Sequence, residues 1–251
     1  MFKNKSIVIT GSEGLVGRSL IKHFNKLNAN VSRLDLKSNV SGKDYFKCDI
    51  TKEPQVKRCI SKIYTQKGLD VLINNASSNP QFKNNKRFKF SNYNLSTWKR
   101  NLDVDLTGSF LMSKYACKYF ELKNEGTIIN ISSIYGLVGP DQEIYGGKKK
   151  EFFGYKPLEY SVAKSGIIGF TKALASYYKK TNIRVLCLIL GGIETNDMKK
   201  GFTKKYSSKT IINRMANLSE YNEFVSFFAS EKAKYATGSC VVIDGGATSI
   251  L

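Results

Sequence analysis

The sequence predicts an α/β fold: one doubly wound domain whose mostly parallel, seven-stranded sheet is flanked by helices. Three observations lead there. Short apolar runs alternate with helical patterns along the chain, which is the rhythm of successive βαβ units. The strand candidates are apolar throughout, as in a parallel sheet covered on both faces. A chain of 251 residues with 41% hydrophobic content can bury one sizeable core, and neither an internal repeat nor a low-complexity linker divides it.

Strands are expected at Ser6 to Thr10, Asn30 to Leu36, Tyr45 to Cys48, Val71 to Asn74, Thr127 to Ser132, Arg184 to Leu190 and Cys240 to Ile243. Helices are expected near Leu15 to Leu27, Glu53 to Gln66, Leu95 to Leu122, Leu158 to Lys180 and Ser219 to Ala229. Two stretches read as long loops. One is the polar Ser77 to Asn94; the other is Ile134 to Pro157, with Gly136, Gly139, Pro140, Gly146, Gly147 and Gly154. Both follow strand ends, the edge where open α/β sheets bind ligands, and long loops in compact domains are commonly lids or disordered.

Forty Lys and Arg against twenty Asp and Glu give a net charge of +20, enough to attract nucleic acid, anionic lipid or an anionic substrate. The basic residues are scattered from Lys3 to Lys234, which favours a solvated lysine-rich surface over a nucleic-acid site. The apolar run Ser6 to Thr10 is too short for a signal segment, and no stretch approaches the roughly 20 apolar residues that span a bilayer. A cytoplasmic protein without a membrane partner is therefore expected. Cys48, Cys59, Cys117, Cys187 and Cys240 are odd in number and widely spaced, so they read as reduced core residues rather than a disulfide framework or a zinc site. His23 is the single histidine and falls in a helix, which leaves no His cluster; no metal site is expected.

The motif at the first strand end points to a cofactor. Thr10 is followed by Gly11, Ser12, Glu13, Gly14, Leu15, Val16 and Gly17, with glycines three apart at the opening of a helix. Such glycines permit a tight turn and close approach of backbone to a pyrophosphate, while the helix N-terminus supplies free N–H groups. An ordinary β-to-α turn is the plain alternative. The context of strand, helix and a following acid favours a Rossmann-type dinucleotide site. Asp35, 18 residues after Gly17, can hydrogen-bond an adenosine ribose and repel a 2′-phosphate, which favours NAD. Arg33 and Lys37 flank it and offer charge to a 2′-phosphate, so NADP stays open.

Tyr160 and Lys164 are four residues apart and share one helix face. A free phenol has a pKa near 10, and an adjacent ammonium favours the phenolate, which suits Tyr160 to general acid/base work. By spacing alone the pair could be a surface pair.

The ordered set of motifs resembles the short-chain dehydrogenase/reductase family over nearly the whole chain. It runs from the glycine loop through Asp49, Asn74-Asn75-Ala76, Asn130-Ile131-Ser132-Ser133, Tyr160 with Lys164, and Gly191 to Thr195. It ends at Thr237-Gly238 and Asp244-Gly245-Gly246. The resemblance implies that Ser133 bonds the substrate oxygen, Tyr160 transfers the proton, and Lys164 holds the nicotinamide ribose while lowering the tyrosine pKa. It places Asp49 at the adenine, Asn74 along the cofactor cleft, and Ile193 with Thr195 at the carboxamide. Ile50, Asn75, Ala76 and Gly191 complete the implied cofactor contacts.

Three departures from the family pattern are visible. The glycine spacing is that of longer relatives. Asp105 stands where the family usually has asparagine, able to support a proton relay through water but with a charge that alters the pH profile. Leu190 replaces the proline that usually precedes Gly191, which is expected to loosen that turn.

The interval from Ser133 to Tyr160 is 27 residues, longer than the family's usual one. It holds Lys148, Lys149 and Lys150, then Phe152, Phe153 and Tyr155, and is expected to form a substrate loop at about 134–157 in which the lysines meet an anionic group. With Arg214-Met215-Ala216-Asn217, this segment resembles a bacterial branch found with surface-polysaccharide and flagellin-sugar biosynthesis. A small-molecule substrate is expected, a sugar or an anionic sugar derivative. A ketoacyl-carrier reductase or other alcohol dehydrogenase is the enzyme alternative, and a nucleotide-sensing or nucleic-acid-binding relative the non-enzyme one. A homodimer or homotetramer is expected, with the two longest helices as contact faces.

Overall fold

The central strand segments are buried on both faces and cannot leave either in water, and seven strands assemble into one sheet. A computed structural model of the chain describes residues 2–78, 90–145 and 156–250. The strands are β1 (Ser6–Thr10), β2 (Asn30–Asp35), β3 (Tyr45–Lys47), β4 (Val71–Asn74), β5 (Glu125–Ser133), β6 (Asn182–Leu190) and β7 (Cys240–Ile243). Their order is β3-β2-β1-β4-β5-β6-β7, and every neighbouring pair is parallel. β5 and β6 pair from Glu125↔Asn182 to Ser133↔Leu190, which carries both beyond their apolar centres to polar ends that the sequence pattern does not mark.

Alternation within each strand fills two layers. Val8, Leu34, Leu72, Ile128 and Val185 pack on one face. There they meet Val56, Ile60 and Ile63 of α2 (Glu53–Lys67) and Met112, Ala116 and Phe120 of α4 (Gly108–Lys123). Ile7, Ile9, Ile73, Ile129 and Leu188 face the other way, onto Leu20 and Phe24 of α1 (Leu15–Lys26) and Tyr221 and Val225 of α7 (Leu218–Ala229). Each fully buried side chain of this size contributes roughly 1.5–3 kcal/mol. Gly126 lies flat on Phe120, since an added Cβ would meet its ring at 2.2 Å.

The structure corrects the helix expected from Leu95 to Leu122. α3 (Leu95–Leu102) runs into a widened π turn, Asp103–Thr107, before α4 begins. The π turn carries Asp105 into the interior, where it is 2% exposed, and such bulges often mark functional sites. Gly108 follows because an added Cβ there would meet Ile50 Cδ1 at 2.6 Å. α5 (Leu158–Tyr177) ends sooner than expected, and α6 (Lys200–Ser207) was not expected at all. In the lysine-rich segment of α6 only Phe202 and Tyr206 mark an apolar face, and they pack against the turn Gln142–Tyr145 through Tyr145. Within the expected loop, Ile134–Gly136 and Gln142–Tyr145 are thus short 3-10 turns, with residues 137–141 joining them.

Cys48, Cys59, Cys117 and Cys187 are buried, and all five cysteines are free thiols. Among the described residues, no helix is long and apolar enough to cross a membrane. Nor is any group of three or more His, Cys, Asp or Glu placed to hold a metal ion.

Candidate active site

The carboxyl ends of the parallel strands share one edge of the sheet, and the chain order reverses between β1 and β4, which pair directly. Ligands bind at such switch points. The glycine loop fills this position. Gly11 has φ +63, and a Cβ there would meet Ala76 Cα at 2.7 Å; at Gly17 it would meet Gly11 O at 2.2 Å. Gly14 is the N-cap of α1 in ordinary extended geometry, φ −78, where a Cβ finds 3.2 Å. Two of the three glycines are therefore required by backbone contact.

The loop is braced from β4. Thr10 Oγ1 accepts from Asn75 N and Ala76 N, both at 3.0 Å. Asn75 Nδ2 donates to Thr10 O at 2.9 Å and Gly11 O at 3.2 Å. The N-terminus of α1 has no side-chain cap and no acid in its first turn, so its free N–H groups and positive dipole end suit a pyrophosphate. Ser12, Leu15 and Val16 lie along this loop and first turn, and the geometry fits a dinucleotide.

At the outer end, Asp35 Oδ2 accepts from Glu13 N at 2.9 Å and Oδ1 from Lys37 N at 3.2 Å. Arg33, a candidate partner for a 2′-phosphate by sequence, donates to Glu13 Oε1 at 2.6 Å and lies over the Tyr45 ring. Burial pushes the Glu13 carboxyl up, but Arg33 and the Ser12 hydroxyl outweigh it and hold the group below its ordinary range. Asp49 Oδ1 accepts from Thr51 N and Oγ1 at 3.0 and 2.7 Å.

Two expected cofactor contacts have their side chains elsewhere. Asn74 does not line the cleft: it is 3% exposed and donates inward to Asn130 Oδ1 at 2.8 Å and Ser113 Oγ at 3.0 Å. Ile50 packs in the core against Gly108, leaving only its backbone for a cofactor.

Contacts between β5 and α5 hold the end of β5, where Ser133 lies, against α5 at Lys164, one turn after Tyr160. Ser133 ends β5, and its Oγ accepts from Tyr135 N at 3.3 Å, capping the turn Ile134–Gly136. Gly136 sits against α5, where an added Cβ would meet Lys164 C at 2.7 Å. Ser132 Oγ donates to Lys164 O, and Ser165 Oγ to Gly136 O, each at 2.8 Å. Lys164 is buried; its Nζ donates to Ile131 O at 3.1 Å and stands 3.7 Å from the Asp105 carboxylate. Asp105 also accepts from Ser77 Oγ at 2.5 Å and from Ser78 N. Burial pushes its carboxyl up, opposed by Lys164 and those hydrogen bonds. Behind it, Ser78 bonds Asn101, and buried Glu159 accepts from Asn101 and Tyr93.

Gly191 to Thr195 continue from β6. Ile193 bridges Ala216, Glu194 N donates to Ala216 O at 2.9 Å, and Thr195 Oγ1 donates to Asp197 at 2.5 Å. Leu190 does not loosen this turn. Gly191 N donates to Ile243 O at 2.9 Å and Gly192 N to Tyr206 Oη at 2.6 Å, so hydrogen bonds hold what a proline ring would otherwise restrain. The Arg214 to Asn217 phrase is scaffold: Arg214 pairs with Glu220 at 2.6 Å, and Asn217 forms a capping box with Glu220 at the start of α7. Lys148, Lys149 and Lys150, with Phe152, Phe153 and Tyr155, lie outside the described residues.

Lys156 is the residue that the sequence reading passed over. Its Nζ lies 3.9 Å from the centroid of the Tyr160 ring, whose other ammonium neighbour, Lys164, is 5.5 Å from the same point. Burial, then the nearby Lys164 charge, lowers its pKa to about 8 against a partial lift from Asp105. The available signal was the repeat Lys156, Tyr160, Lys164, with lysine four positions to either side of the tyrosine.

The chain is similar to known proteins over nearly its whole length. A family model described as enoyl-(acyl carrier protein) reductase matches residues 23–248. The chain is 28% identical to a 2,5-dichloro-2,5-cyclohexadiene-1,4-diol dehydrogenase of Sphingobium indicum over 98% of both proteins. A short chain dehydrogenase of Leptospira borgpetersenii with bound NAD+ superposes with a TM-score of 0.87 at 33% identity, covering 98% of this chain and 94% of that one. The ligand-free aldohexose dehydrogenase of Thermoplasma acidophilum superposes with a TM-score of 0.81 at 25% identity and the same coverage. The chain belongs to the short-chain dehydrogenase/reductase family. It is accordingly an NAD(P)-dependent oxidoreductase.

Proposed function

We propose that the protein interconverts a hydroxyl and a keto group on a sugar or sugar derivative, with NAD as its preferred cofactor and Ser133, Tyr160 and Lys164 as its catalytic residues. The observation that carries this reading is the buried Lys164, fixed between Ile131 O and the Asp105 carboxylate on the same helix face as Tyr160. The Ser133 hydroxyl bonds the substrate oxygen. Tyr160 takes the proton from that oxygen in oxidation and returns it in reduction, and the Lys164 ammonium favours the phenolate. Asp105 balances the charge on Lys164 and holds Ser77 and Ser78 beside it.

The loop from Gly11 to Gly17 and the first turn of α1 would hold the pyrophosphate, with Asp49, Ile50, Asn75, Ala76, Gly191, Ile193 and Thr195 along the rest of the cofactor. When bound, the nicotinamide accepts or supplies the hydride. Two carboxylates at the ribose end, Asp35 and Glu13, with Arg33 already held by Glu13, support NAD over NADP.

A sugar substrate is supported by the likeness to the aldohexose dehydrogenase and by the long interval between Ser133 and Tyr160. A role in surface-glycan biosynthesis follows from the resemblance of that interval to the bacterial branch. Phe110 and Val162, exposed on α4 and α5, support a homodimer or homotetramer through those helices. The acyl-carrier description of the family model, with the +20 charge, favours a ketoacyl-carrier reductase as the second reading.

Initial rates on a panel of aldoses, uronates and nucleotide-linked sugars, run beside 3-oxoacyl carrier thioesters with each cofactor, decide between the two. At least one sugar turning over, with NAD preferred by about tenfold or more in kcat/KM, is the expected result. Ketoacyl reduction with a silent sugar panel would overturn the sugar reading.

A further inference from the structure

We propose that Glu13 is the residue that withholds the cofactor site from NADP, and that it does so by occupying Arg33, a guanidinium that would otherwise receive the 2′-phosphate. This rests on the reading of the glycine loop and Asp35 as the site of the cofactor's adenosine end.

Arg33 and Asp35 are two apart on β2 and share one face of the strand, and Lys37 follows just beyond it. Glu13 touches all three. Its carboxylate accepts from Arg33 Nη2 at 2.6 Å, its N–H donates to Asp35 Oδ2 at 2.9 Å, and its carbonyl accepts from Lys37 Nζ at 3.4 Å. The Asp35 and Lys37 contacts are made by the backbone of Glu13 and survive a change of side chain. The Arg33 contact is made by the carboxylate alone. Tyr45, which pairs with Arg33 across β2 and β3, keeps its ring 5.5 Å from Arg33 Cζ and so holds the guanidinium at that end of the strand.

The pair is sheltered enough for its charges to count: the Glu13 and Arg33 side chains are 11% and 26% exposed. Burial pushes the Glu13 carboxyl up, but Arg33 and the Ser12 hydroxyl hold it below its ordinary range, so it is charged at neutral pH. Arg33 and Lys37 are thereby balanced by Glu13 and Asp35. A phosphate monoester, largely dianionic at neutral pH, finds no spare cation among these four groups. Removing the Glu13 carboxylate releases a guanidinium whose Nε already lacks an acceptor among the described residues, and which can grip a phosphate through two parallel N–H donors. Asp35 is present in either state, so it does not decide between them.

Bulk does not do the excluding. A hollow of about 630 Å³ borders Glu13 and Arg33. Arg18 and Lys22 of α1 lie along it too, and their charges are there with or without the Glu13 carboxylate. The state of Arg33 is what Glu13 controls. A carboxylate acting only by its own repulsion would matter equally whether or not Arg33 were present, and this separates the two roles.

The test measures dissociation constants of NADP+ and NAD+ by calorimetry on the full chain, so no turnover is needed. Glu13→Ala is expected to raise the affinity for NADP+ relative to NAD+ at least about tenfold. Introduced into Arg33→Met, the same change is expected to move that ratio by less than about threefold. Arg33→Gln provides the same comparison where Arg33→Met does not fold. An equal rise in both backgrounds means repulsion by the carboxylate alone and overturns the proposal, as does a rise below about twofold in the first background. A wild-type chain that prefers NADP+ removes the NAD reading and leaves the two ratios to decide on Glu13. Binding of neither dinucleotide removes the cofactor-site reading and the proposal together.

Discussion

Asp105→Asn separates charge from shape at the catalytic pocket. The two side chains have nearly the same volume, so the π turn keeps its packing, while the charge 3.7 Å from Lys164 disappears. At that distance and an effective dielectric constant of ~20, the carboxylate attracts the ammonium by about 4.5 kcal/mol before desolvation is subtracted. Lys164 Nζ lies 5.5 Å from the Tyr160 ring centroid, so that ring is within about 9 Å of the carboxylate, where the same charge raises the energy of a phenolate by ~1.8 kcal/mol, well over tenfold in its balance with the phenol. A negative charge opposes formation of a nearby phenolate, so replacing Asp105 by asparagine favours the base form that oxidation uses. Alcohol oxidation needs the phenolate as base, and the rising acid limb of kcat/KM should therefore move about one unit towards lower pH. Burial pushes the Asp105 carboxyl up, against the pull of Lys164 and the hydrogen bonds from Ser77 and Ser78. The effect is accordingly confined to pH above that raised value, where the wild-type group is ionised. Initial rates of NADH formation, from about pH 6 to about pH 10 at constant ionic strength, measure it. A limb displaced by less than about 0.3 unit, or displaced upwards, would refute the electrostatic argument.

Tyr160→Phe should lower turnover by about a hundredfold or more and leave the calorimetric affinity for NAD within about threefold; a loss under tenfold would remove Tyr160 from proton transfer. Gly17→Ala should weaken NAD binding at least about tenfold, because the new Cβ meets Gly11 O at 2.2 Å, whereas Gly14→Ala, with 3.2 Å to the same atom, should stay within about threefold. The opposite order would contradict the assigned loop geometry. Arg184 is buried and donates to the carbonyls of Phe228, Ser230 and Ala233, so Arg184→Met should cost ~3 kcal/mol and lower Tm by about 8 °C. A denaturant-melt difference below about 1 kcal/mol would show that those carbonyls find other partners.

What the sequence determined by itself is the material that works through local pattern. Runs such as Ile7 to Ile9 are fully buried on both faces of the sheet, so their apolar continuity marked strands with little error. The glycine loop and the Tyr160/Lys164 spacing were legible because a tight turn and one helix face are set by residues a few positions apart. The tertiary structure decided everything that joins distant segments. Asn74 turned inward because Asn130, on the neighbouring strand, offers it an acceptor at 2.8 Å. The expected long helix gave way to a π turn because Asp105 finds Ser77, Ser78 and Lys164 inside the fold. Lys156 became part of the pocket because Gln142, 14 residues earlier, holds its backbone. A side chain's pattern of apolar neighbours is written along the chain, but its hydrogen-bond and charge partners are chosen by strand register and helix docking, which no local window contains.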